Sequence, residues 1–547
     1  MRKELKQVFL WIFVLIVLTF PLILPYFREG YFPTHDGEWA VVRLADMYRE
    51  IKDGQIPPRF SGNLNFGYGY PLFNFAYPMP YYLGLVFFLL HIGLVNSIKV
   101  LFALSVPLSA IMMFFASRSL WGGSLAGLTS ALLYAYLPYR MVDLYVRGSL
   151  GESLASVLFP TIFYLITVLS SRKSVFLVIG LAAAFGTLIL THNIMAVLFS
   201  IIISAYVIFI FFTSKSKYWR QILLGLLGGI FLSAFFWLPA LVEKKFVLLS
   251  QIPIADRDLY YVNPWQLIFS PWGYGTPTEQ NSFTYQLGLP HIILSIIGFF
   301  HILIDKKKDQ KRFLGIFLAG MILAAIFMLF PLSSPLWENI PLISEINYPW
   351  TLLFVIGFLM SLLSGVLMKY GKVMKIFTVL FILSAIVLVL PFAKPSEYVN
   401  RGDSYYFTND ATTTSSREFM PLWVKQMPLN RAAEKVQIVK GKGKIEDIRA
   451  TSDEITFRAS LSEKSIIRLN TIFFPNWRWY VGKKQIAFNY DNPQGVMEAT
   501  FDKGEHAVKV VFENTTVRTF ANWLSLMTFI IFAVILSLIS WRKVLDE

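Results

Sequence analysis

Apolar runs of about 18 to 22 residues recur along the chain, and each is long enough to cross the hydrocarbon of a bilayer. That recurrence restricts the fold more than any other feature, because a buried backbone in lipid must satisfy its own hydrogen bonds. The runs predict twelve spans, at about 8–26, 98–116, 122–138, 152–170, 174–191, 194–213, 221–242, 288–304, 313–331, 350–368, 376–393 and 521–541. Only 15% of the 547 residues are charged and 55% are hydrophobic, against about 25% charge in a soluble domain. The first span starts on basic residues, but its apolar stretch is longer than that of a signal peptide and no small-residue cleavage site follows. It reads as an uncleaved helix.

The formal charge of +15 does not point to nucleic acid, because Lys and Arg collect in the cytoplasmic loops of membrane proteins. Arg2, Lys3 and Lys6, with the loops 171–174, 214–220, 305–312, 369–375 and 541–543, fall on one side only if residues 79–95 do not cross. That stretch opens on Pro78 and Pro80 and carries Gly84, His91 and Gly93. It reads as a helix dipping into, or lying on, the outer leaflet. Both termini are then cytoplasmic. The absence of cysteine excludes disulfides, thiolate zinc sites and thiol catalysis.

The expected architecture is an α-helical polytopic membrane domain (1–393, first outer loop 27–97), an extracytoplasmic β-rich domain (394–520), and a last helix with a cytoplasmic tail (521–547). In the β-rich region, Ile455, Phe457 and Ala459 alternate with Thr456, Arg458 and Ser460, while His506, Val508, Val510 and Phe512 share one face. This period of two is that of an antiparallel sandwich.

The same topology places the polar loops 27–97, 139–152, 191–193 and 243–288 on the outer side, joined by 337–350. Ala40, Leu44, Met47 and Ile51 repeat at helical spacing, so about 38–52 is an amphipathic helix with Arg43, Asp46, Arg49 and Glu50 largely on its other side. Asp36 stands just before it, as an N-cap or as a carboxylate held for chemistry. Arg140, Asp143 and Arg147 are three and four apart, sharing a helical face, with Glu152 following. They form local salt bridges, or the arginines grip a phosphate while an acid takes a proton. His192 and Asn193 either donate to a lipid phosphate or only finish a helix. The aromatics of 260–285 either stack on sugars or form an interfacial belt. There is no P-loop, no G-x-S-x-G and no H-E-x-x-H.

The blocks "HDGEWAVVRLADMYREIKDGQIPPRFSGNLNFGYGYPLFNFAYPMPYYLG", "YLPYRMVDLYVRGSLGESLASVLFP" and "LTHNIMAVLF" resemble the membrane proteins called 6-pyruvoyl-tetrahydropterin synthase-related. Pterin synthases themselves use three histidines on zinc, a cluster this sequence lacks. More broadly the pattern is similar to the GT-C superfamily of membrane glycosyltransferases. "REFMPLWV" and "FFPNWRWYV" resemble its YfhO-like branch.

The resemblance implies a catalytic acid in the first outer loop, here Asp36 with Glu38 beside it. It implies a second acid in the next outer loop, matching Asp143 or Glu152. The donor phosphate would meet Arg140, Arg147 and His192. His35, Tyr139, Tyr68, Tyr70 and Asn74 are the candidate substrate contacts. The implied donor is a polyprenyl-phosphate-linked sugar. The acceptor would be a cell-envelope glycan, lipid or protein at the outer face of the plasma membrane, with the β-domain binding or orienting it. No cofactor is fixed, and a divalent cation, Mg or Mn, is compatible. Rival readings are a lipid-linked glycan flippase or transporter, which would need a polar route and usually inverted repeats, and a non-catalytic assembly scaffold.

The topology is testable in this cysteine-free chain. A single cysteine introduced into the 117–123 bend should react with membrane-impermeant reagents only from the cytoplasmic side. Labelling from outside would reverse every later loop.

Overall fold

The computed structural model describes residues 2–214, 217–279, 282–305 and 310–546. Lys215, Lys306, Lys307 and Lys308 of two basic loops lie outside the described residues. Among the described residues, eight helices are long and apolar enough to cross a membrane, nine if the bent pair Trp219–Leu232 and Ala234–Phe246 is one span. Three of the twelve expected spans are shorter apolar helices, Ser124–Ala135, Val175–Thr191 and Leu289–Ile304. Each stops where the chain turns toward the same end of the bundle, at Pro138, His192 and Gly288. Val175–Thr191 and Leu289–Ile304 coincide with the expected 174–191 and 288–304 and are simply short, whereas Ser124–Ala135 ends three residues before the expected 138.

The segment 79–95 holds a short apolar helix. Its helix, Met79–Leu89, has 11 residues, about 16 Å against ~30 Å of hydrocarbon. It turns back through His91 (φ 63°) and Gly93 (φ 87°) into the 28-residue helix Leu94–Trp121. Gly84 permits its close contact with Leu44 on the first-loop helix, where an added Cβ would lie 3.2 Å from the Leu44 side chain. At the far end of Leu94–Trp121, Lys311 donates to the Trp121 carbonyl (3.1 Å) and Lys369 lies over the Trp121 ring. The 117–123 bend and two basic loops therefore share one end of the bundle.

The helix Gly37–Lys52 buries Ala40, Leu44 and Met47 as its spacing predicts, yet Asp46 and Glu50 are buried as well. A strap formed by residues 394–435 covers its polar side. Arg43 donates to Thr413 Oγ1 (3.1 Å), Arg49 to the Phe407 carbonyl, and Arg401 to Glu38 (2.6 Å). Tyr31 and Val399 exchange two backbone hydrogen bonds. The helix is thus a buried layer rather than an exposed interfacial one, because its polar side meets protein instead of water.

Eight strands follow the strap: β1 (Val436–Lys440), β2 (Gly443–Ala450), β3 (Glu454–Leu461), β4 (Ser465–Ile472), β5 (Trp477–Val481), β6 (Lys484–Ile486), β7 (Val496–Phe501) and β8 (Gly504–Phe512). They form antiparallel sheets in the orders β1-β4-β7 and β2-β3-β8-β5-β6. Ile455 pairs with Val510 and Phe457 with Val508, and all four are buried, with the intervening side chains more exposed. The domain is seated on the first loop. Phe60 packs 5.4 Å from Trp477 and 5.3 Å from Phe512, and Ile472 N–H donates to the Tyr68 carbonyl.

A buried ionic network fastens this seat. Glu243 accepts from Arg518 Nε (3.0 Å) and Nη2 (2.9 Å), Asn74 Nδ2 (2.8 Å) and Thr515 Oγ1 (2.8 Å). Arg59 donates to Asn74, the Phe235 carbonyl and Asn522. At the 65° bend beside it, Ser525 of the last helix accepts from Phe235 N and donates to the Phe231 carbonyl, replacing helical bonds lost at the break.

Glu243→Ala should therefore destabilise the chain by about 3–5 kcal/mol, because it leaves Arg518 buried without its partner. The readout is a fall in Tm of the detergent-solubilised protein. An unchanged Tm would show that the network is hydrated.

Candidate functional site

The site begins as a backbone contact. His35 N–H donates to the Val146 carbonyl (3.0 Å) and Asp36 N–H to the Arg147 carbonyl (2.8 Å). Two loops more than a hundred residues apart in sequence are thereby placed side by side. On one strand of this contact Thr34 Oγ1 accepts from Gly37 N (3.0 Å). Thr34 therefore stabilises the first turn of the helix Gly37–Lys52, while the Asp36 carboxylate, at the N-cap position, makes no capping bond. It is left at a helix N-terminus, where the dipole favours its charge.

The other strand is a widened turn. Pro138–Val142 is α-helical, and Asp143–Arg147 then adds a residue to the turn, with Gly148 N–H donating to the Asp143 carbonyl (2.9 Å). Such single π-turns are frequent at functional sites. The added residue corrects the expectation that Arg140 and Arg147 share one face. Arg140 turns into the bundle, 1% exposed, over Tyr134 (4.8 Å) and Phe354 (5.4 Å). Arg147 turns elsewhere, and Asp36 bears on it electrostatically. Arg147 donates to Tyr139 OH (3.0 Å) and Glu152, lies 3.6 Å from Asp143 Oδ1, and stacks over Trp350 (4.7 Å). Asp143 also accepts from Ser153 Oγ (2.5 Å).

Asp143 and Glu152 thus flank the Arg147 guanidinium, and Asp36 acts on it electrostatically. Burial opposes the charge on Arg147, but Glu152, Tyr139, Asp143 and Asp36 outweigh it and hold the group above its ordinary value. Burial, then Glu152, push the Asp143 carboxyl well up. Burial lowers His35 against the pull of Asp36, with Arg147 adding to the depression. The His192 imidazole is pushed down to about 3 by burial and Arg147. Its Nδ1 accepts from Met195 N (3.2 Å), so the neutral ring carries its proton on Nε2.

Of the expected residues, His35, Asp36, Tyr139, Asp143, Arg147 and Glu152 meet here, with His192 behind Tyr77 (ring centroids 5.1 Å apart). Glu38 does not join them, being paired with Arg401. Tyr68 lies under the β-domain, Tyr70 OH bonds Thr413 Oγ1 (3.1 Å), and Asn74 belongs to the Glu243 network. The "GYGYPLFNF" block is a pedestal rather than a substrate wall, since its aromatic and amide groups are consumed by packing and hydrogen bonds.

Residues beyond the expected set complete the site: Thr34, Tyr77, Phe283, Tyr348, Trp350 and Glu418. Asp36 bears electrostatically on Tyr77, Tyr348 and Glu418. Burial raises the Glu418 carboxyl, and Asp36 pushes it the same way against its backbone hydrogen bonds. The signal for Phe283 and Trp350 lay in aromatic loops on the same predicted side, but nothing in the sequence singled them out.

Arg147 occupies the space between Asp143 and Glu152 that a cation would need. Asp36 and His35 are fewer donors than the oxygen-rich set taken by Mg or Mn. Among the described residues no group of three or more His, Asp or Glu could hold a metal ion. The residues present do not fit a divalent cation.

Fold and site together define a multi-pass helical membrane protein with an antiparallel β-domain at one end of its bundle and a buried ionic cluster around Arg147. No family model matches the chain. An uncharacterized protein of Lactococcus lactis subsp. cremoris is 23% identical over 320 residues, covering 56% of this chain and 50% of that protein. The match therefore spans about half the length of that relative. Three solved structures show distant likeness. The arabinofuranosyltransferase AftD from Mycobacteria has TM-score 0.45 and 13% identity, over 71% of this chain and 26% of that one. The Archaeoglobus fulgidus oligosaccharyltransferase has TM-score 0.45 and 12% identity, over 76% and 61%. ArnT from Cupriavidus metallidurans, bound to undecaprenyl phosphate, has TM-score 0.34 and 17% identity, over 71% and 77%.

Gly148 has φ +63°, and a Cβ there would lie 2.1 Å from Thr34 Oγ1 and 2.9 Å from Gly37 N. Gly148→Ala should cost at least the ~1–2 kcal/mol of a left-handed residue and separate the two strands. Thermal unfolding measures it, and a neutral effect would show that the contact is loose.

Proposed function

We propose that this chain is a membrane glycosyltransferase, moving a sugar from a polyprenyl-phosphate donor to an acceptor hydroxyl. The supporting observation is the backbone hydrogen bond from Asp36 to Arg147, which joins the two candidate loops where the Asp36 carboxylate makes no capping bond and bears electrostatically on the Arg147 guanidinium. The resemblance to GT-C enzymes assigns the same two loops to the reaction. Asp36 takes the acceptor proton as its oxygen attacks the anomeric carbon, and the bond from that carbon to the phosphate oxygen breaks. Arg147 stabilises the charge developing on the departing polyprenyl phosphate, electrostatic stabilisation being the largest source of rate in such sites. Arg147 does this without Arg140. Asp143 and Glu152 hold the guanidinium in place, and no divalent cation is needed for that task.

The site end is the extracytoplasmic face in this reading. The opposite end gathers Lys311, Lys369 and the 117–123 bend, matching the excess of basic residues in cytoplasmic loops. Both termini are then cytoplasmic, and the membrane is the plasma membrane. The acceptor belongs to the cell envelope.

Asp36→Asn should cut transfer of label from a polyprenyl-phosphate sugar by about 10²–10⁴-fold without lowering Tm, since the carboxylate makes no capping bond. Undiminished transfer removes Asp36 from this role. Label trapped inside sealed vesicles with no covalent product would instead establish a transporter.

A further inference from the structure

Residues 259–269 lie outside every helix long enough to span a membrane. Even so, Leu259 is 63% exposed, Trp265 76%, Ile268 44% and Phe269 73%. No charged residue occurs from 259 to 278. A row of large apolar side chains facing outward, with no charge among them, marks a surface that something other than water covers.

The backbone of the same segment is closed against solvent. Val262 N donates to the Leu329 carbonyl (2.9 Å), Gln266 N to the Asn263 carbonyl (2.9 Å) and Phe269 N to the Trp265 carbonyl (3.0 Å). Asn263 N donates to Gln266 Oε1 (2.9 Å) and Trp265 N to Asn263 Oδ1 (3.1 Å), while Pro264 has no N–H to satisfy. Both amide side chains are thus spent on their own turn, the capping box of the short helix Pro264–Ile268. Apolar side chains outside a backbone that satisfies itself are what hydrocarbon demands of a buried segment.

Two bonds fix its depth. Leu329 lies two residues past the helix Gln310–Phe327. Leu287, whose N–H donates to the Leu267 carbonyl (2.9 Å), lies two residues before the helix Leu289–Ile304. Pro264–Ile268 is therefore held level with the ends of two apolar helices, where hydrocarbon gives way to headgroups. Tryptophan is favoured at that depth, its ring apolar and its N–H polar.

We propose that residues 259–269 form a docking ledge whose occupant is the bilayer, with Leu259, Trp265, Ile268 and Phe269 inserted among the lipids on the site side of the membrane. A protein partner would find no charge here to set its register. The ledge also sets the level of the candidate site. Tyr260 packs edge-on against Tyr348 (4.8 Å), Tyr348 lies 5.5 Å from Trp350, and Trp350 carries Arg147. The Arg147 cluster then sits at the membrane boundary rather than out in solvent. Which leaflet this is rests on the topology proposed above. The insertion does not, and it is independent of the transferase reading.

The test uses the full cysteine-free chain in nanodiscs of phosphatidylcholine and phosphatidylglycerol. Trp265→Cys and Phe269→Cys are each labelled with a nitroxide, and its collisions with oxygen and with a polar nickel chelate are measured. Leu380→Cys, exposed on the span Lys372–Phe392, is the lipid reference, and Lys484→Cys, exposed on β6, is the water reference. The chelate is excluded from hydrocarbon, so the oxygen-to-nickel ratio at 265 and 269 should exceed that at 484 by at least about tenfold and approach that at 380. If either variant fails to fold, Leu259→Cys and Ile268→Cys read the same surface. A ratio equal to that at 484 overturns the proposal. So does a label reached by neither reagent, which would show that protein covers the ledge. No transfer reaction enters the measurement, so a chain without transferase activity would still sustain or defeat the ledge.

Discussion

Two backbone hydrogen bonds, from His35 to Val146 and from Asp36 to Arg147, hold together the two loops of the candidate site. They require both loops to approach more closely than side chains normally permit. Gly37 and Gly148 make that approach feasible: a Cβ on either would fall within 2.5 Å of a Thr34 or Tyr31 atom. Everything polar at the site is arranged around that contact. Thr34 caps the helix, which leaves the Asp36 carboxylate without a capping bond, and the widened turn directs Arg147 to Glu152 and Tyr139.

The rest of the molecule keeps this contact in place. The strap 394–435 pins the first-loop helix through Thr413, Phe407 and Arg401. The β-domain sits on Phe60 and Tyr68, and the Glu243–Arg518–Arg59 network joins that seat to the bent helix and the last helix. A displacement of the β-domain would pull on the first loop through these points. The membrane bundle and the β-domain act as one support for a site built from loops.

Much of the local structure was legible. The apolar runs gave the membrane helices, and the alternation in 455–459 and 506–512 gave the inner faces of a sheet. The stretch 79–95 was legible as a short helix that turns back, because its prolines and glycines interrupt the apolar run. Asp36 and Arg147 were both singled out, since ionisable residues beside membrane helices are expensive unless they serve a purpose. Less legible was the fate of residues whose side chains depend on distant partners. Arg140 and Glu38 look like site residues by type and spacing, yet one packs on Tyr134 and the other pairs with Arg401. Asp46 and Glu50 look solvent-facing until the rest of the first loop, through Gln55, Ser61 and Gly62, and Ser452 of the β-domain close over them.

The sequence by itself determined which segments form apolar helices and which strand faces turn inward, because those outcomes follow from hydropathy and from periods of two and 3.6 within a few neighbouring residues. Only the tertiary structure decided which charges meet. Whether Arg147 or Arg140 joins Glu152 and Tyr139 depends on one extra residue in a turn. Whether Phe283 reaches His35 depends on how a loop from the second half of the chain folds back over the first. Such contacts join residues over a hundred positions apart, and no local pattern encodes them.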